Sequence, residues 1–209
     1  MHRRLVFCGV LALSILGAAR SAHADCSAEV DAAFAKLRRA AAFRMMTKIV
    51  NDQGSLSMSV DYVPPDRMHQ TVETGTSAGT VELIVIGSEA WSNQGQGWAK
   101  VPDKFAKEVS GQMRQSLSGN KSANAAYECL GEKTFEGGEY VAYRTELPPV
   151  AAKTGAEAVP GNVQMLYVDK ETGLPVRNIV TKPDAPNERL FDGTFQLRED
   201  LKIDVPATR

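Results

Sequence analysis

Histidine and cysteine are nearly absent from this sequence, with three of each in 209 residues. Two of the histidines, His2 and His23, fall in the N-terminal stretch, so the body of the chain keeps His69 alone. A zinc site needs several nitrogen or sulfur ligands at short spacing, and none is laid out here. A Ser-His-Asp arrangement would have to use His69, and no Gly-x-Ser-x-Gly elbow supplies its nucleophile. Ser118-Gly-Asn-Lys121, Ser122-Ala-Asn124 and Lys153-Thr-Gly155 imitate the signatures of penicillin-recognising enzymes. The first two abut, however, where that fold places them on separate elements. Gly95-Gln-Gly97 lacks the third glycine and the following helix of a dinucleotide loop, and reads as a hairpin turn. Acidic residues are scattered singly, which leaves paired-carboxylate hydrolysis without support. His69, between Met68 and Gln70, reads as a surface or cross-strand residue. No catalytic residue, metal or cofactor is expected.

Long apolar runs are also missing beyond the N-terminus. Met1 to Ala24 carries Arg3 and Arg4, the apolar run Leu5 to Leu16, and then Ala22-His23-Ala24. That order reads as an export signal removed after Ala24, which places the protein in the periplasm. A retained anchor is the other reading, but the run is short against the roughly 20 residues a bilayer span requires. Removing Arg3, Arg4 and Arg20 takes 24 basic residues to 21 against 25 acidic ones, a net charge of −4. Nucleic acid is an unsuitable partner for such a chain, because phosphate binding needs a basic stripe. Residues 25–209 suit one domain with a single core. Cys8 leaves with the signal, and an exported chain with two remaining cysteines, Cys26 and Cys129, is expected to join them in a disulfide. Lipidation of Cys26 is the alternative, although Asp25 stands where a small residue is wanted. Asn120-Lys-Ser122 matches a glycosylation sequon, a pattern too short to carry weight.

What the chain does contain is alternation. Ser27 to Ala42 carries Val30, Phe34, Leu37 and Ala41 at helical spacing, which predicts an amphipathic helix. Phe43 to Val50, Leu56 to Tyr62, Arg67 to Thr74 and Thr80 to Ile86 alternate strongly between short turns, which predicts an antiparallel meander. Leu56, Met58, Val60 and Tyr62 share a face opposite Ser55, Ser57, Ser59 and Asp61, a sheet apolar on one side only. Lys104 to Leu117 repeats the helical spacing with Phe105, Val109, Met113 and Leu117. Strands are expected again at Tyr127 to Leu130, Tyr140 to Leu147, Val163 to Asp169, Leu174 to Thr181 and Arg189 to Leu197, with a long Pro/Ala/Gly loop from Pro148 to Gly161. The pattern is α+β: a large antiparallel sheet whose apolar face is covered by helices.

Methionine is frequent at strand positions, namely Met45, Met46, Met58, Met68 and Met165. Its flexible thioether suits variable apolar contents, although the same residues could simply fill a core. Trp91 and Trp98 flank the Gly95-Gln-Gly97 turn.

The segments "DYVPPDRMHQT", "VELIVIGSEAWSNQGQGWAKVP", "YECLGEKTFEGGEYVAYRTEL" and "LYVDKETGLPVRNIV" occur in an order that resembles the periplasmic lipoprotein-carrier superfamily. That superfamily includes LolA, LolB, the RseB N-terminal domain and the LppX/LprG-type lipid binders. The resemblance covers most of Ala41 to Val180, and its most specific parts are the "LG-x-x-x-x-x-G" strand pair and the "D-x-x-T-G-L-P" hairpin. It implies a curved, incomplete antiparallel β-barrel with helices inside its concave face, enclosing a cavity for acyl chains. Residues on faces that would then point inward are Met45, Met58, Val60, Met68, Val72, Leu83, Val85, Val109 and Met113. The sequence departs from the LolA pattern at Val63-Pro64-Pro65, where the carriers place a basic residue that takes part in ligand release. The pair Cys26 and Cys129 is likewise no signature of those carriers. The function expected is a monomeric periplasmic carrier or binding protein for lipid or lipoprotein acyl chains, with a membrane protein or lipoprotein as a further partner. The alternative is a protein-interaction or envelope-stress sensor module of the RseB type.

Overall fold

A computed structural model describes residues 26–52, 54–75, 79–119, 126–149 and 161–208. The expected export signal, the sequon, most of the Pro148 to Gly161 loop and the greater part of the enzyme look-alike motifs lie outside the described residues. Helix α1 (Ser27–Arg38) is followed by β1 (Phe43–Asn51), β2 (Gly54–Val63), β3 (Arg67–Thr74), β4 (Thr80–Ile86), β5 (Glu89–Asn93) and β6 (Ala99–Lys100). Then come α2 (Asp103–Ser118), β7 (Glu128–Phe135), β8 (Gly138–Glu146), β9 (Val163–Asp169), β10 (Pro175–Lys182) and β11 (Ala185–Leu197).

These strands form one 11-stranded sheet in the order β6-β5-β4-β3-β2-β1-β11-β10-β9-β8-β7. All neighbours are antiparallel, so two meanders meet where β1 pairs with β11. Strands β6 and β7 remain as edges, and the barrel is therefore open. This is the α+β class expected from the alternation, in the incomplete-barrel form that the resemblance implies.

Residues directly opposed across a ladder share a face. The register aligns Phe43, Tyr62, Met68, Val85 and Ala90 in one row, and every member is buried. Helix α2 lies over this row with Ala106, Val109, Ser110 and Met113 turned inward. Phe43 stacks on Tyr62 at 5.0 Å between ring centroids. Burial raises the Tyr62 phenol above its ordinary pKa, opposed by a hydrogen bond with Ser116 in the last turn of α2. Helix α1 covers the other half of the same face, packing Val30 and Ala33 against Tyr143, Leu166 and Val168. Its Phe34 meets Phe195 of β11 edge-on at 5.5 Å.

Both ends of α1 are fastened. The Cys26–Cys129 disulfide ties its start to β7 with the Cα atoms 5.6 Å apart, as the cysteine count predicts. Beside it the Cys26 amide donates to the Tyr127 carbonyl at 2.9 Å, and the Tyr127 amide donates to Ser27 Oγ at 3.1 Å. The Tyr143 hydroxyl donates to Glu29 at 2.8 Å. At the far end Lys36 Nζ donates to the Thr172 carbonyl in the β9–β10 turn. The two helices meet at their C-termini. Gly119 caps α2 with φ of 70°, a left-handed backbone that favours glycine, and the Arg38 guanidinium lies against it.

Three expectations change. Helix α1 stops at Arg38 rather than Ala42, because Ala42 already belongs to the sheet: its carbonyl accepts from the Arg198 amide at 3.1 Å, and Ala41 is exposed. The inward stripe of α2 keeps Val109 and Met113 but loses Phe105, which is 46% exposed, and the small Ala106 and Ser110 sit against the sheet in its place. Small residues at those positions let the helix axis approach Val85 and Ala90, which retain no exposure. The outer face of the sheet is not uniformly polar either. Ala142, Tyr167 and Ile179 form one apolar cluster there, and Ile84 with Trp91 forms another under Ile203 of the C-terminal segment.

Met113 is 1% exposed, so Met113→Ala should cost about 2–5 kcal/mol in urea unfolding. Phe105→Ala should stay within about 0.5 kcal/mol, and the reverse ranking would contradict the outward placement of Phe105. Replacing both cysteines with serine opens a crosslink spanning 103 residues and should remove about 4 kcal/mol. Burial, then the hydrogen bond and charge of Glu29, push the Tyr143 phenol from 10.0 up to about 12. Its contribution is therefore complete below the unfolded-state value and is lost as pH rises through the folded one. Unfolding free energies measured across that alkaline window should fall less steeply in Tyr143→Phe than in the parent.

Candidate binding groove

The inner face of β1 to β4 extends beyond the row that α2 covers. The next row along the strands is Met45, Val60, Gln70 and Leu83, and the one after is Thr47, Met58, Val72 and Val81. On β2 to β4 exposure climbs away from the helix, while Thr47 of β1 stays buried. Val85 is fully buried, Leu83 is half-buried and Val81 is 39% exposed, all on one face of β4. On β2 the sequence Tyr62, Val60, Met58, Leu56 runs likewise from buried to half-buried. The result is an apolar face with a dry end under the helices and an open end at the β1–β2 and β3–β4 hairpins.

The nominated residues separate along this gradient. Val60, Met68, Val85, Val109 and Met113 belong to the buried cluster between sheet and helix. Met45, Met58 and Leu83 are half-buried against that cluster, and half-buried Val72 lies opposite Met58. All of them occupy the inner face or the α2 surface that faces it. Two of the strand methionines do not: Met46 alternates to the outer face at 37% exposure, and Met165 joins the outer cluster around Tyr167.

Polar groups in the groove are few and specific. Gln70 reaches across from β3, and its Nε2 donates to Met58 Sδ at 3.2 Å. The Thr47 hydroxyl is buried and has no hydrogen-bond partner among the described residues. Neither was nominated from sequence, because a single polar residue inside an alternating run reads as noise until the register places it among apolar neighbours. Phe43, Tyr62 and Phe195 were also passed over, since aromatic residues at these positions read as ordinary strand formers.

His69 and the glycine turn lie on the other side of the sheet. His69 Nε2 pairs with Glu82 at 3.0 Å, and the Trp98 ring stands edge-on 6.0 Å away. This is the cross-strand role expected of a lone histidine. Asn93 Nδ2 donates to the same Glu82 at 3.3 Å, while Asn93 Oδ1 accepts the amides of Gly95 and Gly97, each at 3.0 Å. The Gly95-Gln96-Gly97 stretch is thus an asparagine-organised turn, with φ of 89° and 95° at its glycines. Cys26, Glu29 and Cys129 place potential ligand atoms within 4.8 Å of one another, but both thiols are consumed by the disulfide. Among the described residues no helix is long and apolar enough to cross a membrane.

No family model matches the chain, and no curated protein matches it. Solved structures do. LprF from Mycobacterium bovis superposes with a TM-score of 0.53 at 11% identity, over 87% of this chain and 96% of that one. The Mycobacterium tuberculosis lipoprotein LppX superposes with a TM-score of 0.54 at 14% identity, over 85% of this chain and 97% of that one. At such identities the likeness is one of fold. The open antiparallel barrel with helices on its inner face, implied by the resemblance to the lipoprotein-carrier superfamily, is the fold this chain shares with LprF and LppX.

Proposed function

We propose that this protein is exported, and that it binds a lipid or the acyl chains of a lipoprotein in the inner-face groove and escorts them. The gradient from Val85 through Leu83 to Val81 carries this reading, since it leaves apolar surface half-covered by the protein's own helices. An acyl chain laid along Met45, Met58, Val72 and Leu83 would complete the cover, at about 0.8 kcal/mol for each buried CH₂ group. Binding of that kind needs no catalytic side chain. The methionines at the open end suit chains of varied length and unsaturation, because a thioether side chain repacks at low cost. Gln70 offers a polar contact for an ester or hydroxyl at the head of the chain.

The test is a titration of the exported protein with a fluorescent fatty acid, alongside native mass spectrometry of protein purified from its own host. Val72 is half-buried at the open end, so Val72→Lys should leave the fold intact by circular dichroism. A desolvated charge beside the chain should weaken binding about tenfold or more. Absence of any co-purified apolar molecule, together with no fatty-acid binding by the parent protein, would sink the proposal.

A further inference from the structure

We propose a second ligand site on the outer face of the sheet, over β9 and β10, for a small amphiphile with an apolar tail and an anionic head. A cavity of about 480 Å³ opens there, on the side of the sheet opposite the inner groove. That volume falls within the range of about 300–1,000 Å³ typical of small-molecule sites.

Sheet irregularity creates the cavity. The β10–β11 ladder slips register on either side of Thr181, and such bulges bend a strand and increase its twist. The hairpin carrying Pro183 and Pro186 borders the cavity as a result. The floor is Met165, Tyr167 and Ile179, of which Tyr167 is 9% and Ile179 5% exposed. Phe135 forms a wall, stacked on Tyr167 at 4.2 Å between centroids. That wall is held in place, because Arg189 and Arg177 lie over the Phe135 ring at 5.6 and 5.9 Å.

Charge decides what the cavity would hold. Arg144, Lys182 and Arg189 line it, and no carboxylate does so among the described residues. Their acidic partners approach from outside the lining: Glu146 bonds Arg144 at 2.6 Å with Glu128 3.8 Å away, Asp192 and Glu136 bond Arg189 at 2.8 and 2.9 Å, and Glu188 stands 3.6 Å from Lys182. A guanidinium carries five N–H donors, so these bonds leave donors on both arginines for an anion. Thr181 and Asn187 add neutral polar groups to the same lining. A cationic rim above an apolar, aromatic floor selects a molecule with both characters, such as an alkyl carboxylate or alkyl phosphate.

The methionines allow the two faces to be read separately. In exported protein labelled at the methionine methyl carbon, Met165 reports on this cavity, Met45 and Met58 on the inner groove, and Met68 and Met113 on the core. Titration with decanoate and with decyl phosphate should shift Met165 saturably, and the tighter of the two identifies the anion preferred. Decanol, acetate and inorganic phosphate, each lacking one half of the chemistry, should bind at least about tenfold more weakly. Arg144→Gln with Lys182→Gln should weaken the charged amphiphile about fivefold for each residue, leaving decanol unchanged and the Met68 and Met113 signals in place. The proposal is overturned if Met165 stays still while an inner methionine moves, if decanol matches decanoate, or if the double variant binds as the parent does. Silence at Met45 and Met58 would count against the inner-groove function alone, so the two failures are distinguishable.

Discussion

Two helices must cover one face of an eleven-stranded sheet, and they are too short to cover it all. At about 1.5 Å per residue, helices of 12 and 16 residues extend roughly 18 and 24 Å. Eleven strands at about 4.8 Å spacing measure roughly 48 Å across before any curvature. Laid end to end across the strands, the helices bury about one row of side chains. On the β1 to β5 half that row is Phe43, Tyr62, Met68, Val85 and Ala90. Apolar residues continue along the strands past this cover, so the exposure gradient on β2 and β4 follows from geometry.

The cover is fixed in place as well as short. Helix α1 is fastened to β7 by the disulfide and to the β9–β10 turn by Lys36. Helix α2 begins where the Val101 amide donates to the Ala90 carbonyl at 3.1 Å, and it ends where Gly119 abuts Arg38. Sliding either helix toward the open end would break these attachments before it buried new surface. An apolar face kept partly uncovered at Leu83 and Met58 by such anchors is the surface that the proposed binding function uses.

The outer face solves a different problem. Charged pairs occupy much of it, with Arg44 held bidentate by Asp61 at 2.6 and 2.7 Å and Arg177 by Asp192 at 2.5 and 2.7 Å. Where apolar residues do surface, something covers or frames them. Ile203 of the C-terminal segment packs on Ile84 and Trp91, anchored by Arg67 donating to the Ile203 carbonyl at 2.5 Å. The cluster at Tyr167 and Ile179 has instead the bulged β10–β11 hairpin at its border, which leaves a cavity beside it.

Strands β3, β4 and β9 were legible to the residue, because each is a short run of strand-forming residues closed at both ends by turn-forming ones. Strand β7 was read as ending at Leu130, although it continues to Phe135 through Glu132 and Lys133. It is an edge strand, and solvated charges there erase the apolar alternation by which a strand is recognised. From sequence alone followed the class of the fold, the apolar side of β2 and the partnership of Cys26 with Cys129, since these depend on local period, composition and compartment. Tertiary structure alone decided that α2 would turn Ala106 and Ser110 inward, that Met58 would stay half-open while Met113 became dry, and that Met165 would face the opposite way. Each of those outcomes rests on contacts between residues distant in the chain, and a local period carries no information about which neighbour arrives.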